Sequence, residues 1–137
     1  MADQRYPNNY EYLKNGYYTD SSNKRLRRGI IIEDAKRVAE DLVSGKIKMT
    51  STTLRRFYSK LLSAYEKYKS NNDFEGIVNQ IEALIPDAEI AVKREVAPYQ
   101  FKNFIRENVN LASRNPDNLK GFVRHYQSII CFFSEKK

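Results

Sequence analysis

Residues 50–65 read TSTTLRRFYSKLLSAY, and the spacing within this stretch decides the fold class. Leu54, Phe57, Tyr58, Leu61, Leu62 and Tyr65 recur at i, i+3, i+4, i+7, i+8 and i+11, which is one buried stripe on a helix. The hydroxyls of Thr50 and Ser51 can accept hydrogen bonds from the free amides of a first turn, so the helix is expected to start there and run to about residue 70. Arg55 and Arg56 fall outside the stripe, close to the positive end of the helix. Two cations there work against the macrodipole by roughly a few tenths of a kcal/mol each. An anion docked at the same end would relieve that mismatch.

The same period continues on either side. A helix is expected over residues 32–44, with Ala35, Val38, Ala39 and Leu42 inward and Gly45 as its C-terminal cap. After the 51–70 helix, Asn71-Asn72-Asp73 supplies a turn and an N-cap. The next helix turns Phe74, Ile77, Val78, Ile81 and Leu84 inward and ends at Pro86. A short helix over 87–96 precedes Pro98. Another spans about 99–114 with Phe101, Phe104, Ile105, Val109 and Ala112 inward, and Asn115-Pro116 starts the last as N-cap and first helical residue. In that last helix Leu119, Phe122, Val123, Tyr126, Ile129, Ile130 and Phe133 form one stripe. With only 5 Gly and 4 Pro in 137 residues and no strand-like alternation after residue 30, the expected fold is all-α. It is a compact bundle of about six helices over residues 30–137, without an internal repeat.

Residues 1–29 differ. They hold five of the ten tyrosines (Tyr6, Tyr10, Tyr12, Tyr17, Tyr18), few aliphatic residues and the cluster Lys24-Arg25-Leu26-Arg27-Arg28. So little aliphatic surface does not offset ordering entropy, so a flexible basic arm is expected here. Tyrosines among cations also suit base stacking on single-stranded nucleic acid.

The formal net charge is +7, which favours polyanionic partners without choosing among RNA, DNA, an acidic protein or a membrane surface. A single cysteine rules out an internal disulfide framework and a cysteine-based zinc site, and points to a reducing cytoplasm. No apolar segment has the form of a signal peptide, and no run approaches the roughly 20 apolar residues of a membrane span.

Catalytic parts are lacking. His125, the only histidine, stands one residue off the last stripe and reads as a partly exposed structural residue. Cys131 reads as a small hydrophobe near the inward face. Glu33-Asp34, Glu40-Asp41 and Asp87/Glu89 read as first-turn dipole contacts and ion-pair partners. No cofactor, metal site or enzyme activity is expected. What remains is basic. Lys46, Lys48, Arg55, Arg56 and Lys60 cluster around the connection into the 51–70 helix, with Arg56, Lys60 and Lys67 along one outer face. Lys93 and Arg94 have Glu89 and Glu95 within pairing range, and Arg124 faces away from the last stripe. Lys48, Arg55, Arg56, Lys60, Lys93, Arg94 and Arg124 are the candidate phosphate contacts.

Three segments together resemble a known family, the small helical subunit of type III-A CRISPR effector complexes, the second Csm protein. Residues 50–58 are similar to the hydroxyl-rich, Leu-Arg-x-Phe opening of the family's second helix. Residues 81–95 resemble its Leu-x-x-Leu-x-Pro segment followed by an arginine, and residues 122–133 its C-terminal aromatic helix. The likeness covers about residues 45–134. Gln127 stands where the family often has a glutamate, and Ser128 where it has alanine. The resemblance implies a non-catalytic antiviral subunit that stacks in a filament with copies of itself and other Csm subunits, holding crRNA and target RNA by their phosphates. Arg55 and Arg94 match family arginines. Two other classes fit the residues: a helix-turn-helix regulator with residues 51–70 in a DNA major groove, and a helical protein-interaction adaptor. Against the first, the connection from about 45 to 50 is longer than the usual three or four residues.

Overall fold

The computed structural model describes residues 10–22 and 24–135. Among them the regular structure is helical: α1 (Arg28–Ile31), α2 (Glu33–Asp41), α3 (Ser51–Asn71), α4 (Glu75–Glu82), α5 (Leu84–Lys93), α6 (Tyr99–Ala112) and α7 (Pro116–Phe132). The expected all-α class is what the chain adopts. Six of these helices are the expected ones, and the one-turn α1 precedes them.

The stripe of residues 50–65 lies at the centre. Leu54, Phe57 and Leu61 are buried, while Tyr58, Leu62 and Tyr65 pack half-buried along its margin. Thr50 is the N-cap, its hydroxyl accepting from Thr53 N at 3.2 Å. α7 packs along α3, with Tyr126 Oη donating to Leu54 O at 2.7 Å. α6 packs against both α5 and α7. The ring centroid of its Phe104 lies 5.9–6.1 Å from those of four rings, Phe101, Phe122, His125 and Tyr126. Asn115 caps α7 with Pro116 at its first position, as expected. Pro86, however, does not end a helix. The chain turns at Ala83, and Pro86 sits in the first turn of α5, where no N–H is needed.

Tyr10, Tyr12, Leu13, Tyr17, Tyr18 and Leu26, from the segment read as an arm, pack in or against the core. A 3-10 turn over Glu11–Asn15 buries Leu13, and Tyr17 is 1% exposed. A short antiparallel ribbon closes at Tyr18 and Leu26. Arg27 fastens it, its guanidinium donating to Gly16 O at 2.8 Å and Tyr12 O at 2.5 Å. Aromatic rings here supply the buried area that aliphatic side chains supply elsewhere. Tyr6 and the rest of residues 1–9 lie outside the described residues.

This segment gives α7 a second buried face, which corrects two further expectations. His125 is not partly exposed but fully buried, because Tyr12 and Tyr17 cover the side of α7 where it stands. Gly121 is required at the same contact. A Cβ there would lie 2.6 Å from Tyr17 Cγ, inside any tolerable separation. Cys131, expected near the inward face, is exposed, because it stands off the stripe on which Ile129 is buried and Ile130 and Phe133 pack against the core.

Candidate nucleic-acid interface

The start of α3 lies against the end of α5. Thr50 N donates to Val96 O at 3.2 Å, so the segments carrying Arg55 and Lys93-Arg94 meet at one end of the bundle. Local backbone chemistry creates that approach. Arg94 is the C-cap of α5, Glu95 adopts a left-handed φ of 60°, and Val96 N returns to Ala91 O at 3.1 Å. This is a Schellman-type stop with glutamate in the position glycine usually takes, a conformation costing about 1 kcal/mol. It turns Val96 toward Thr50.

The basic candidates separate into three groups. Arg55, Arg56, Lys93 and Arg94 are exposed and form no ion pair among the described residues. The expected pairing of Lys93 or Arg94 with Glu89 does not occur, because Glu89 faces Lys102 at 3.4 Å. Arg56 extends over the edge of the core, its guanidinium 5.5 Å from the centre of the Phe57 ring. Lys48 and Lys60 are engaged elsewhere. Lys48 Nζ donates to Gly45 O at 2.7 Å, closing the connection between α2 and α3. Lys60 Nζ pairs with Asp87 of α5 at 2.8 Å, a partner 27 residues away that no i,i+4 inspection of α3 finds. Arg124 forms the third group alone. It stands on the outer face of α7 near the Tyr18 phenol, whose pKa is pushed up to about 12 by burial and by Asp117 and Tyr65, with Arg124 opposing.

The anion expected at the start of α3 is present within the chain. Glu135 Oε1 accepts from Ser51 N at 2.8 Å. Sequence reasoning missed it because Glu135 lies 84 residues away and outside every apolar stripe. Thr53 N is held by the Thr50 hydroxyl and Leu54 N by Thr50 O.

His125, Tyr17 and Tyr126 are titratable groups buried in the core. His125 Nδ1 faces Ile30 O at 2.6 Å and its Nε2 faces Tyr12 Oη at 2.7 Å, so neither ring nitrogen is open to a substrate. Burial, with the Arg27 charge adding, pulls its pKa down to about 4 although the Ile30 carbonyl opposes this. Tyr17 Oη donates to Asn108 Oδ1 at 2.7 Å, and Asn108 Nδ2 to Phe104 O at 2.9 Å. Burial raises the Tyr17 and Tyr126 phenols well above their ordinary range. Among the described residues no group of three His, Cys, Asp or Glu could hold a metal ion, and no helix is long and apolar enough to cross a membrane.

The connection from α2 to α3 takes residues 42–50, well beyond the three or four residues of a helix-turn-helix. No curated protein and no solved structure matches the chain. A family model described as Csm2 Type III-A matches residues 27–137, which takes in all seven α-helices and both segments that meet at the Arg55 end. The chain therefore belongs to the Csm2 family, the small subunits that assemble with other Csm subunits in type III-A CRISPR complexes.

Proposed function

We propose that this subunit is non-catalytic and cytoplasmic, stacks with copies of itself beside the other Csm subunits, and holds crRNA and its paired target by their phosphates. The observation that carries this reading is the meeting of the α3 start with the α5 end. The segments that meet carry Arg55, Arg56, Lys93 and Arg94, each exposed and without an ion pair among the described residues, on a chain of net charge +7. Guide pairing supplies sequence specificity in such a machine, so the protein need read only backbone charge and shape. Lys48 and Lys60 take no part in this reading, since each already serves an internal partner, and Arg124 stands apart from it.

The test is RNA affinity as a function of salt. Arg55→Ala with Arg94→Ala is expected to weaken binding to unrelated RNA sequences alike, by about tenfold, or ~1.4 kcal/mol. The slope of log affinity against log salt should become shallower by about 0.7 for each phosphate no longer held. Lys60→Ala serves as the contrast. It is expected to change RNA affinity less than about twofold while costing under about 1 kcal/mol of stability through the exposed Asp87 pair. An unaltered affinity in a folded double variant, or strong preference for one DNA duplex, would overturn the proposal.

A further inference from the structure

A shallow groove of about 370 Å³ runs between α3 and the junction of α4 with α5. Its apolar part is the buried Leu84 together with Ala83, where the chain turns from α4 into α5. Its polar part is mostly uncharged: Ser59 and Ser63, one turn apart, line it from α3 and Gln80 lines it from α4. Three charged groups complete the lining, Arg56, Lys60 and Asp87. Asp87 is held by Lys60 at 2.8 Å, so the groove carries one net positive charge and Arg56 is its open cation. The Phe57 ring lies under both basic side chains, its centre 5.5 Å from the Arg56 guanidinium and 5.9 Å from Lys60 Nζ.

We propose that this groove seats one ribonucleotide of a bound RNA strand, its phosphate on Arg56, its ribose over Ala83 and Leu84, and its 2′-hydroxyl among Ser59, Ser63 and Gln80. The inference rests on the RNA-contacting role proposed above and adds to it a means of telling RNA from DNA. The lining selects the occupant. One open cation matches one phosphate, and an apolar floor suits the carbon face of a sugar ring. Hydroxyl and carboxamide groups both donate and accept hydrogen bonds, as does the 2′-hydroxyl by which a protein distinguishes RNA from DNA. A groove for phosphates alone would gain more from lysine or arginine at these positions. An apolar side chain from a protein partner would strip water from the two hydroxyls and the amide without replacing its hydrogen bonds. Arg56 adjoins Arg55 at the start of α3, and Ser59 and Ser63 follow it by about one and two turns, so a strand held at that end continues along the groove.

The experiment measures the affinity of the full chain for a single-stranded RNA and for DNA of the same sequence, written in adenine and cytosine only so that the two strands differ in the 2′-hydroxyl alone. The wild type is expected to prefer RNA by about three- to tenfold, the size of one or two hydrogen bonds. Ser63→Ala with Gln80→Ala should bring RNA affinity down to that for DNA and leave DNA affinity within about twofold of wild type. The slope of log affinity against log salt should stay unchanged, because no charge is removed. Both substitutions are at exposed helical positions where alanine is well tolerated, and an unchanged urea midpoint checks that the variant is folded. Absence of an RNA preference in the wild type, an unaltered preference in the folded variant, or an equal loss on both strands would overturn the ribose site and leave the phosphate contacts of Arg55 and Arg94 standing. Failure of the wild type to bind either strand would overturn both readings.

Discussion

Tyr17→Ala is expected to lower the unfolding free energy by about 3–5 kcal/mol, the range for removing a large buried aromatic side chain. Tyr17 is 1% exposed, its ring faces Gly121 of α7 at a separation that admits no Cβ, and its hydroxyl satisfies Asn108 in the interior of α6. Truncation opens a cavity between the ribbon and two helices, and leaves the Asn108 side-chain oxygen without its donor. Tyr17→Phe separates these terms, keeping the ring and removing only the hydroxyl, for a loss of about 1–3 kcal/mol. Urea unfolding measures both, with the slope unchanged if the denatured state is unaffected. A loss below about 1 kcal/mol for Tyr17→Ala would show that residues 10–29 do not belong to the cooperative unit. A domain of this kind has about 5–15 kcal/mol in all, so the expected loss is a large fraction of it. Tyr12 and Tyr17 precede the family match, yet they cover one side of α7, which lies within it.

The helices were legible in the sequence because each carries its own period. Leu54 to Tyr65 and Leu119 to Phe133 needed no knowledge of their neighbours, and Thr50 and Asn115 announced their caps by residue type. The order of apolar positions did not show which faces would be covered twice. His125 stood one step off its stripe and read as half exposed. It became buried because Tyr12 and Tyr17 arrive from a segment whose tyrosines and asparagines resemble those of an unstructured tail. Composition measures aliphatic surface and undervalues rings that are buried singly with their hydroxyls satisfied. The candidate site shows the same limit. Arg55 and Arg94 were legible as exposed cations. Lys48 turns back on Gly45 three residues before it, but the other contacts that order this end come from elsewhere in the chain: Asp87 for Lys60, Val96 for the start of α3, Glu135 for its free amide. Charge identity is local information, whereas charge availability is set by tertiary contacts.

Acid should weaken this fold well before its carboxylates titrate. In the folded chain His125 is neutral, its Nδ1–H donating to Ile30 O and its Nε2 accepting from the Tyr12 hydroxyl. A second ring proton would meet the Tyr12 hydroxyl proton, and an imidazolium would be buried near the Arg27 charge. The folded pKa is thus pulled down to about 4 from an ordinary 6.5. Between these values the unfolded chain binds a proton that the folded chain does not, so the unfolding free energy falls as pH falls. The contribution is fully present above about pH 6.5 and is lost by about pH 4, a change of roughly 3 kcal/mol. Because the chain has one histidine, its Cε1 proton gives a single NMR titration, expected to stay in the neutral position down to about pH 5. His125→Gln should flatten the stability profile between about pH 6.5 and about pH 4.5, leaving the steeper carboxylate-driven loss below that. A His125 midpoint near 6.5 would contradict the buried pairing. A normal midpoint together with a stability profile unchanged in His125→Gln would mean that Tyr12 and α1 do not close over α7 in solution. The weak point under acid is thus the seam between α7 and the segment from Tyr12 to Ile30, and residues 10–30 should lose hydrogen-exchange protection before α3 and α6 do.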